Sequence, residues 1–215
     1  MNIVLLGMPG AGKGTQSQYL KDYYSIPHIS TGDMFREATS AKTPMGIEAS
    51  KYMDKGEFVP DSVVIGMVKE RLSKSDCDKG FILDGFPRNE SQAGALDSLL
   101  SELGKELTYV LDFVIPSEEA VKRLSSRRTC GSCGKIYNVI TDSFKAEGSC
   151  NDCSGILVQR NDDKEEVILN RLKVYDNQTA VLKDYYTSNG KLKTIDAVRP
   201  PQQVFEDLKT LLILK

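Results

Sequence analysis

The feature that most narrows what this chain can fold into is the run Gly7-Met8-Pro9-Gly10-Ala11-Gly12-Lys13-Gly14-Thr15. It holds the pattern G-x-x-x-x-G-K over Gly7 to Lys13. The apolar segment Ile3-Val4-Leu5-Leu6 stands directly before it, and a helical pattern from Lys13 to Tyr24 follows. A short buried strand, a glycine-rich loop and a helix in that order make a phosphate cradle. The glycines let the backbone curl and turn N–H groups toward an anion, and the helix start adds partial positive charge. Lys13 then reaches the β- and γ-phosphates of a nucleotide. Gly14 stands directly after the lysine, so the hydroxyl that often ligates Mg²⁺ in such loops is displaced to Thr15. The bland alternative is a glycine-rich turn without a ligand. The agreement of strand, loop, lysine and helix argues against it.

Further short apolar runs occur at Phe81-Ile82-Leu83, Tyr109 to Ile115 and Leu192 to Ile195, with helical patterns between them. Strands alternating with helices predict a parallel sheet with crossover connections. Asp163 to Tyr186 reads as one long helical stretch, and Pro200-Pro201 opens a last helix to about Leu212. Residues 130–159 break the rhythm. They are rich in Gly, Ser, Cys and Asn and read as a small insertion, with short strands near Lys135-Ile136-Tyr137 and Ile156-Leu157-Val158. A length of 215 residues allows one sizeable α/β core plus such an insertion. The net charge of −2 and the lack of a long basic tract speak against nucleic acid as a bulk partner. The N-terminal apolar run is too short for a signal or a membrane span, so the expectation is a cytoplasmic protein with no membrane partner.

Two more segments follow apolar runs. In Ser30-Thr31-Gly32-Asp33-Met34-Phe35-Arg36, Ser30 or Thr31 can cap a helix that starts near Gly32 or Asp33, with Arg36 one turn on. Alone, this reads as a capped helix with a solvated arginine. In Asp84-Gly85-Phe86-Pro87-Arg88, Asp84 ends a strand, where ligands bind in parallel sheets, and is placed to hold Mg²⁺ directly or through water. Gly85-Phe86-Pro87 reads as a tight exposed turn with Arg88 beside it. The bland alternative is a plain surface turn. The single histidine, His28, reads as structural, and no Ser-His-Asp or Cys-His apparatus is in sight.

Cys130-x₂-Cys133 and Cys150-x₂-Cys153 are separated by sixteen residues, and each pair sits in a tight turn. Two such pairs match a four-thiolate zinc ribbon. All four positions of a tetrahedral Zn²⁺ would be protein ligands, so the metal would be structural. Disulfides, or a nucleic-acid zinc knuckle, are the alternatives. Cys77 lies in the polar stretch Lys74 to Lys79 and reads as a free thiol with no role.

Taken together, these segments resemble the adenylate kinase family. The resemblance rests on Gly-x-Pro-Gly-x-Gly-Lys-Gly-Thr, on Ser-Thr-Gly-Asp-Met-Phe-Arg and on Asp84 to Gln92. It rests also on Gly56-Glu57-Phe58-Val59-Pro60-Asp61 and on the segment from Arg160 through Asp162, Asp163 and Glu166 to Arg171. It covers essentially the whole chain and points to the bacterial long form with a zinc-binding lid. The resemblance implies an α/β phosphate-loop kinase of nucleoside monophosphates, with a five-stranded parallel sheet flanked by helices. The core would be residues 1–29, 60–126 and 164–215, the AMP-binding arm 30–59 and the lid 127–163. It implies reversible, Mg²⁺-dependent transfer of the ATP γ-phosphoryl to AMP, giving two ADP, by a monomer.

The family's roles carry over by position. Gly10, Ala11, Gly12, Lys13, Gly14 and Thr15 would bind the ATP phosphates, with Arg123, Ile136, Tyr137 and Arg199 near the ATP nucleoside. Thr31, Arg36, Glu57, Phe58, Val59, Gly85, Phe86, Pro87, Arg88 and Gln92 would form the AMP site. The Gln92 amide can pair with both a donor and an acceptor on adenine. Arg127, Arg160 and Arg171 would clamp the transferring phosphoryl alongside Lys13, Arg88 and Asp84. Cys130, Cys133, Cys150 and Cys153 would hold Zn²⁺. Phosphoryl transfer asks for in-line positioning and cations around the equatorial oxygens, and arginine suits such contacts.

The chain departs from the family pattern in four places. Phe58 stands where leucine is usual, Asn89 where threonine is common, and Asn138 where histidine is common. Val198-Arg199-Pro200-Pro201 replaces a glycine-containing turn on the ATP side. The rival readings are a kinase of another nucleoside monophosphate, an ATP-binding regulatory switch and a zinc-ribbon nucleic-acid adaptor. Thr31 and Gln92 favour adenine. A pure switch would not need the acceptor signatures.

Overall fold

The computed structural model describes residues 1–144, 146 and 148–212. Its centre is the strand β1 (Asn2–Leu6), whose apolar residues alternate between two cores. Val4 and Leu6 face one side with Val68, Leu96 and Tyr186. Ile3 and Leu5 face the other with Leu20, Ile168 and Leu208. A strand covered on both faces reads as the continuous apolar run seen in the sequence.

Around it lie β2 (His28–Ser30), β3 (Phe81–Asp84) and β4 (Tyr109–Val114). The final strand of this sheet, Leu192–Asp196, is β8 in chain order. The sheet runs β2-β3-β1-β4-β8, and every pairing is parallel. The predicted five-stranded parallel sheet is therefore present. The helices are α1 (Lys13–Tyr24), α2 (Thr31–Ser40), α3 (Pro44–Met53), α4 (Asp61–Leu72), α5 (Glu90–Glu102) and α6 (Ser117–Ser125). After the insertion come α7 (Glu165–Val174), α8 (Leu182–Ser188) and α9 (Pro201–Leu211). Because β3 and β4 lie on opposite sides of β1, the crevice at their C-terminal ends is where such sheets place ligands.

The insertion is a second, antiparallel sheet of three strands, β5 (Arg127–Cys130), β6 (Ile136–Asn138) and β7 (Leu157–Val158), in the order β6-β5-β7. β6 and β7 lie where expected. β5 was not anticipated, because Arg-Arg-Thr-Cys carries no apolar alternation. Pairing on both edges makes it a strand.

Two other expectations change. The stretch Asp163 to Tyr186 is not one helix. A 3₁₀ turn at Asn161–Asp163 precedes α7, and a π-helical turn at Tyr175–Thr179 separates it from α8. The π turn adds a residue to the helical period, and the Thr179 hydroxyl donates to the Arg88 carbonyl at 2.8 Å. The turn after Asp84 is not exposed: Phe86 is 1% accessible and packs in the core with Ile29 and Leu83. Cys77 is fully buried, its sulfur 3.1 Å from Arg71 Nη1, although its neighbours in sequence are polar.

Candidate active site

The phosphate loop leaves β1 at Gly7, whose φ of 130° favours glycine. A Cβ there would stand 2.5 Å from the Phe113 carbonyl oxygen. The loop thus hugs β4 before rising into α1. Lys13 folds back over it, donating to the Gly7 carbonyl at 2.6 Å and the Met8 carbonyl at 3.0 Å. Burial pushes its ammonium down to about 8. Asp84 opposes the shift, while Arg88, Arg171 and Arg127 add to it.

Asp84 ends β3, opposite Leu5 of β1 and Ser30 of β2. Its carboxylate lies 3.6 Å from His28 Nε2. Burial raises its pKa, but His28 and Lys13 outweigh burial and hold the group below the ordinary carboxylate range. The histidine read as structural is thus turned toward the site. Ser30, not Thr31, caps α2, accepting from the Asp33 N–H. This frees the Thr31 hydroxyl to donate to the Gly85 carbonyl at 2.9 Å. Gly85 has φ 80°, and a Cβ on it would meet that hydroxyl oxygen at 2.8 Å. The glycine lets the two segments touch.

Arg88 Nε donates to the same Gly85 carbonyl at 2.7 Å, and its guanidinium lies over the Phe58 ring, 4.8 Å from the centroid. Phe58, the departure from leucine, gives that cation an aromatic face. Burial lowers the Arg88 pKa to about 10, with Arg171 and Arg36 adding to the shift and Asp84 opposing it. Gln92 is 1% exposed. Its Oε1 accepts from the Arg88 N–H at 2.8 Å, and its Nε2 donates to Asp61 at 2.7 Å. Asn89, the departure from threonine, caps α5 by accepting from the Gln92 N–H and also donates to Asp61. Arg36 pairs with Asp33. Val59 is buried and Glu57 is exposed.

From the insertion side, Arg127 makes a two-pronged contact with Asp163, at 2.7 and 2.6 Å. Arg171 reaches the same carboxylate at 3.1 Å and Asp162 at 3.1 Å. Arg160 donates to the Thr129 hydroxyl at 2.9 Å. Burial pushes its pKa to about 10, helped by Arg36 and Arg127. In the sequence Asp162 and Asp163 stand only as members of a motif, and the structure shows them holding these arginines. The signal was two acids flanked by Arg160 and Arg171.

The ATP-side residues are less gathered. Arg123 is tied to Glu119 at 2.7 Å and to the carbonyls of Ala197 and Val198, yet its Nη1 lies 3.8 Å from where a Gly12 side chain would begin. Ile136 Cδ1 is 4.0 Å from the corresponding point on Gly14. Arg199 is partly exposed and pairs with Asp207 and Asp196. The Tyr137 side chain turns into the insertion instead, with its hydroxyl 3.2 Å from Cys150 Sγ.

All four ribbon cysteines are free thiols, and their sulfurs lie within 4.8 Å of one another. Cys130 and Cys153 are 3.4 Å apart, Cys133 and Cys150 3.6 Å. A tetrahedron with Zn–S bonds of about 2.3 Å has edges of about 3.8 Å. The sulfurs are therefore disposed for zinc.

A model of the adenylate kinase family matches residues 5–191. The chain belongs to the adenylate kinase family. It is 54% identical to the adenylate kinase of Thermodesulfovibrio yellowstonii over 212 residues, covering 99% of each chain. It is 50% identical to that of Archaeoglobus fulgidus, over 99% of this chain and 98% of the relative. It is 49% identical to that of Bacillus subtilis, over the same shares. As a member of this family, the chain is an ATP:AMP phosphotransferase.

Proposed function

We propose that Lys13, Arg36, Arg88, Arg127, Arg160 and Arg171 are the cations that carry the phosphoryl group from ATP to AMP. The observation that carries this assignment is that their segments converge: Thr31 and Arg88 meet on the Gly85 carbonyl, and Arg127 and Arg171 share the Asp163 carboxylate. Arg88, Arg171 and Arg127 each press on Lys13, and Arg36 presses on both Arg88 and Arg160. Six cations this close, drawn from the phosphate loop, α2, the turn after β3, the insertion and α7, fit a chain of phosphates between two nucleosides.

In this reading the backbone from Gly10 to Thr15 and Lys13 hold the donor phosphates. Arg36 and Arg88 hold the acceptor phosphate, and Arg127, Arg160 and Arg171 close on the group in flight. A phosphate monoester loses its second proton with a pKa near ~6, so the acceptor is already a nucleophile at neutral pH. No general base is required, and the chain's work is alignment and charge neutralisation. Thr31, Glu57, Val59, Gly85, Phe86, Pro87 and Gln92 shape the AMP side. Gln92 must exchange one of its present partners if it is to meet adenine. Arg123, Ile136, Tyr137 and Arg199 belong to the ATP side, the first two with support from their closeness to the loop.

Asp84, 15% exposed and held ionised at the C-terminal end of β3, suits Mg²⁺, which neutralises charge on the transferring phosphates when bound. The four thiolates suit a structural Zn²⁺. The segments 30–59 and 127–163 are the AMP arm and the lid, on a core of 1–29, 60–126 and 164–215. We also infer a cytoplasmic monomer with ATP, AMP and ADP as its partners, and no nucleic acid or membrane.

A coupled assay tests the reading. ADP should form only when ATP, AMP and Mg²⁺ are all present, and AMP should outperform CMP, UMP and GMP. ATP hydrolysis without AMP as the main activity would overturn it.

A further inference from the structure

Tyr137 lies on β6, and its side chain is buried within the insertion. The phenolic oxygen sits 3.2 Å from Cys150 Sγ and 3.0 Å from the Asn151 backbone nitrogen. The charge state of the sulfur sets the direction of its hydrogen bond. The Asn151 N–H can only donate, so it occupies a lone pair of the phenol oxygen. A thiolate has no proton to give, so when Cys150 holds a metal the single phenolic proton is the one shared with the sulfur. Among the described residues, Tyr137 is the one side chain outside the four cysteines whose hydroxyl meets their sulfurs.

The four sulfurs are not equivalent. Cys130 and Cys150 are buried, whereas Cys133 and Cys153 are exposed. Water can solvate the exposed pair, but the buried pair depends on protein donors. Cys130 receives the backbone N–H groups of Ser132 and Cys133 at 3.4 and 3.5 Å. Cys150 receives the phenol together with the backbone N–H groups of Asp152 and Cys153. Four thiolates around one divalent ion leave a net double negative charge, and a donor on a buried sulfur offsets part of it. The phenol ring is itself held in place. Phe144 stacks at 5.5 Å, and the Lys135 ammonium lies 5.5 Å from its centroid.

We propose that Tyr137 is an outer-shell positioning residue of the metal site: its hydroxyl donates to the Cys150 thiolate, retains the metal and shields that sulfur from electrophiles. The proposal rests on the zinc reading above. It gives the hydroxyl a task in the lid distinct from any contact with ATP.

The test uses the full-length reduced protein, loaded with zinc or with cobalt(II). Tyr137→Phe keeps the ring and deletes the donor. The expected results are roughly 10-fold or faster transfer of zinc to a chromogenic chelator, a shifted thiolate-to-cobalt charge-transfer band, and faster iodoacetamide labelling mapped to Cys150. A second variant, 3-fluorotyrosine placed at position 137, makes the phenol a stronger donor with almost the same shape. Its shifts should be of opposite sign, which a merely structural ring would not produce. Retention, band and labelling within about 2-fold of the parent in Tyr137→Phe would overturn the proposal while leaving the zinc site standing. If Tyr137→Phe fails to fold, unchanged retention in the fluorinated protein would do the same. A parent protein that binds no transition metal would overturn both.

Discussion

Asp163 is the residue on which the insertion side of the site turns, and Asp163→Asn is the perturbation that measures it. The carboxylate side chain is 0% exposed. It accepts two hydrogen bonds from Arg127, at 2.7 and 2.6 Å, and one from Arg171 at 3.1 Å. Asparagine keeps the shape but not the charge, and it turns an NH₂ group toward guanidinium donors. Breaking a buried ion pair by removing one partner costs about 3–5 kcal/mol. Arg127 and Arg171 retain 17% and 19% exposure, so water offsets part of the loss and the low end, about 3 kcal/mol, is the expectation. For a chain of this size each kcal/mol is worth about 2–4 °C, which gives a fall of about 6–12 °C in Tm. Calorimetry of the nucleotide-free protein reads this directly. Saturating ADP should shrink the deficit, because its phosphates supply the two arginines with another anion. A nucleotide-free Tm within about 2 °C of the parent would refute the reasoning, since it would mean the shared carboxylate is not what holds the two cations.

Arg88→Ala should lower kcat on the order of 10²-fold or more while leaving Tm unchanged or higher, because the variant loses a desolvated cation crowded by Arg171 and Arg36; near-normal turnover would contradict its role. Zinc removal, or Cys150→Ser, should lower Tm yet leave much of the turnover at temperatures where the protein stays folded, and turnover abolished in folded zinc-free protein would give the metal a part in the chemistry. Lys13 falls from 10.5 unfolded to about 8 folded, so the unfolded chain binds more protons between those values. Its destabilising effect is full below about pH 8 and is relieved as pH rises to 10.5. Phosphate binding needs the charged form, so ATP affinity should weaken by up to about tenfold per unit above pH 8, and a titration flat to pH 9.5 would refute this.

What the sequence disclosed was whatever depends on local chain geometry. The phosphate loop is legible because glycine and lysine spacing dictates it within nine residues. The cysteine cluster is legible because Cys-x-x-Cys turns are self-contained, and α2 and α9 are legible because a cap and a proline mark their starts. What stayed hidden depends on which segments meet. Asp163 looks like any acid before a helix until Arg127, 36 residues earlier, is folded against it. β5 is a strand only because it has two neighbours. The turn at Phe86 reads as exposed because glycine and proline flank it, yet its ring joins the core built by β2 and β3. His28 reads as structural because nothing in its own segment names Asp84 as its neighbour on the next strand.

The site is richer in cations than in carboxylates to balance them. Arg127 and Arg171 share Asp163, Arg160 has a hydroxyl, Arg88 has a carbonyl and an aromatic face, and Lys13 has two carbonyls. These neutral partners orient the donors without cancelling their charge. Lys13, Arg88, Arg160 and Arg171 are all shifted downward, first by burial and then by their like-charged neighbours. An anion entering such a site does not have to break strong ion pairs at Lys13, Arg88 or Arg160. It exchanges weak dipoles for its own charge, and the gain grows with the charge gathered on the phosphoryl oxygens. That dependence favours the transition state over either bound nucleotide. Arg36, Arg127 and Arg171 are the exception, because the carboxylates they hold, Asp33 for the first and Asp163 for the other two, must be shared or surrendered. Under the proposed assignment their guanidiniums would engage the phosphoryl group at a cost that Lys13, Arg88 and Arg160 do not bear.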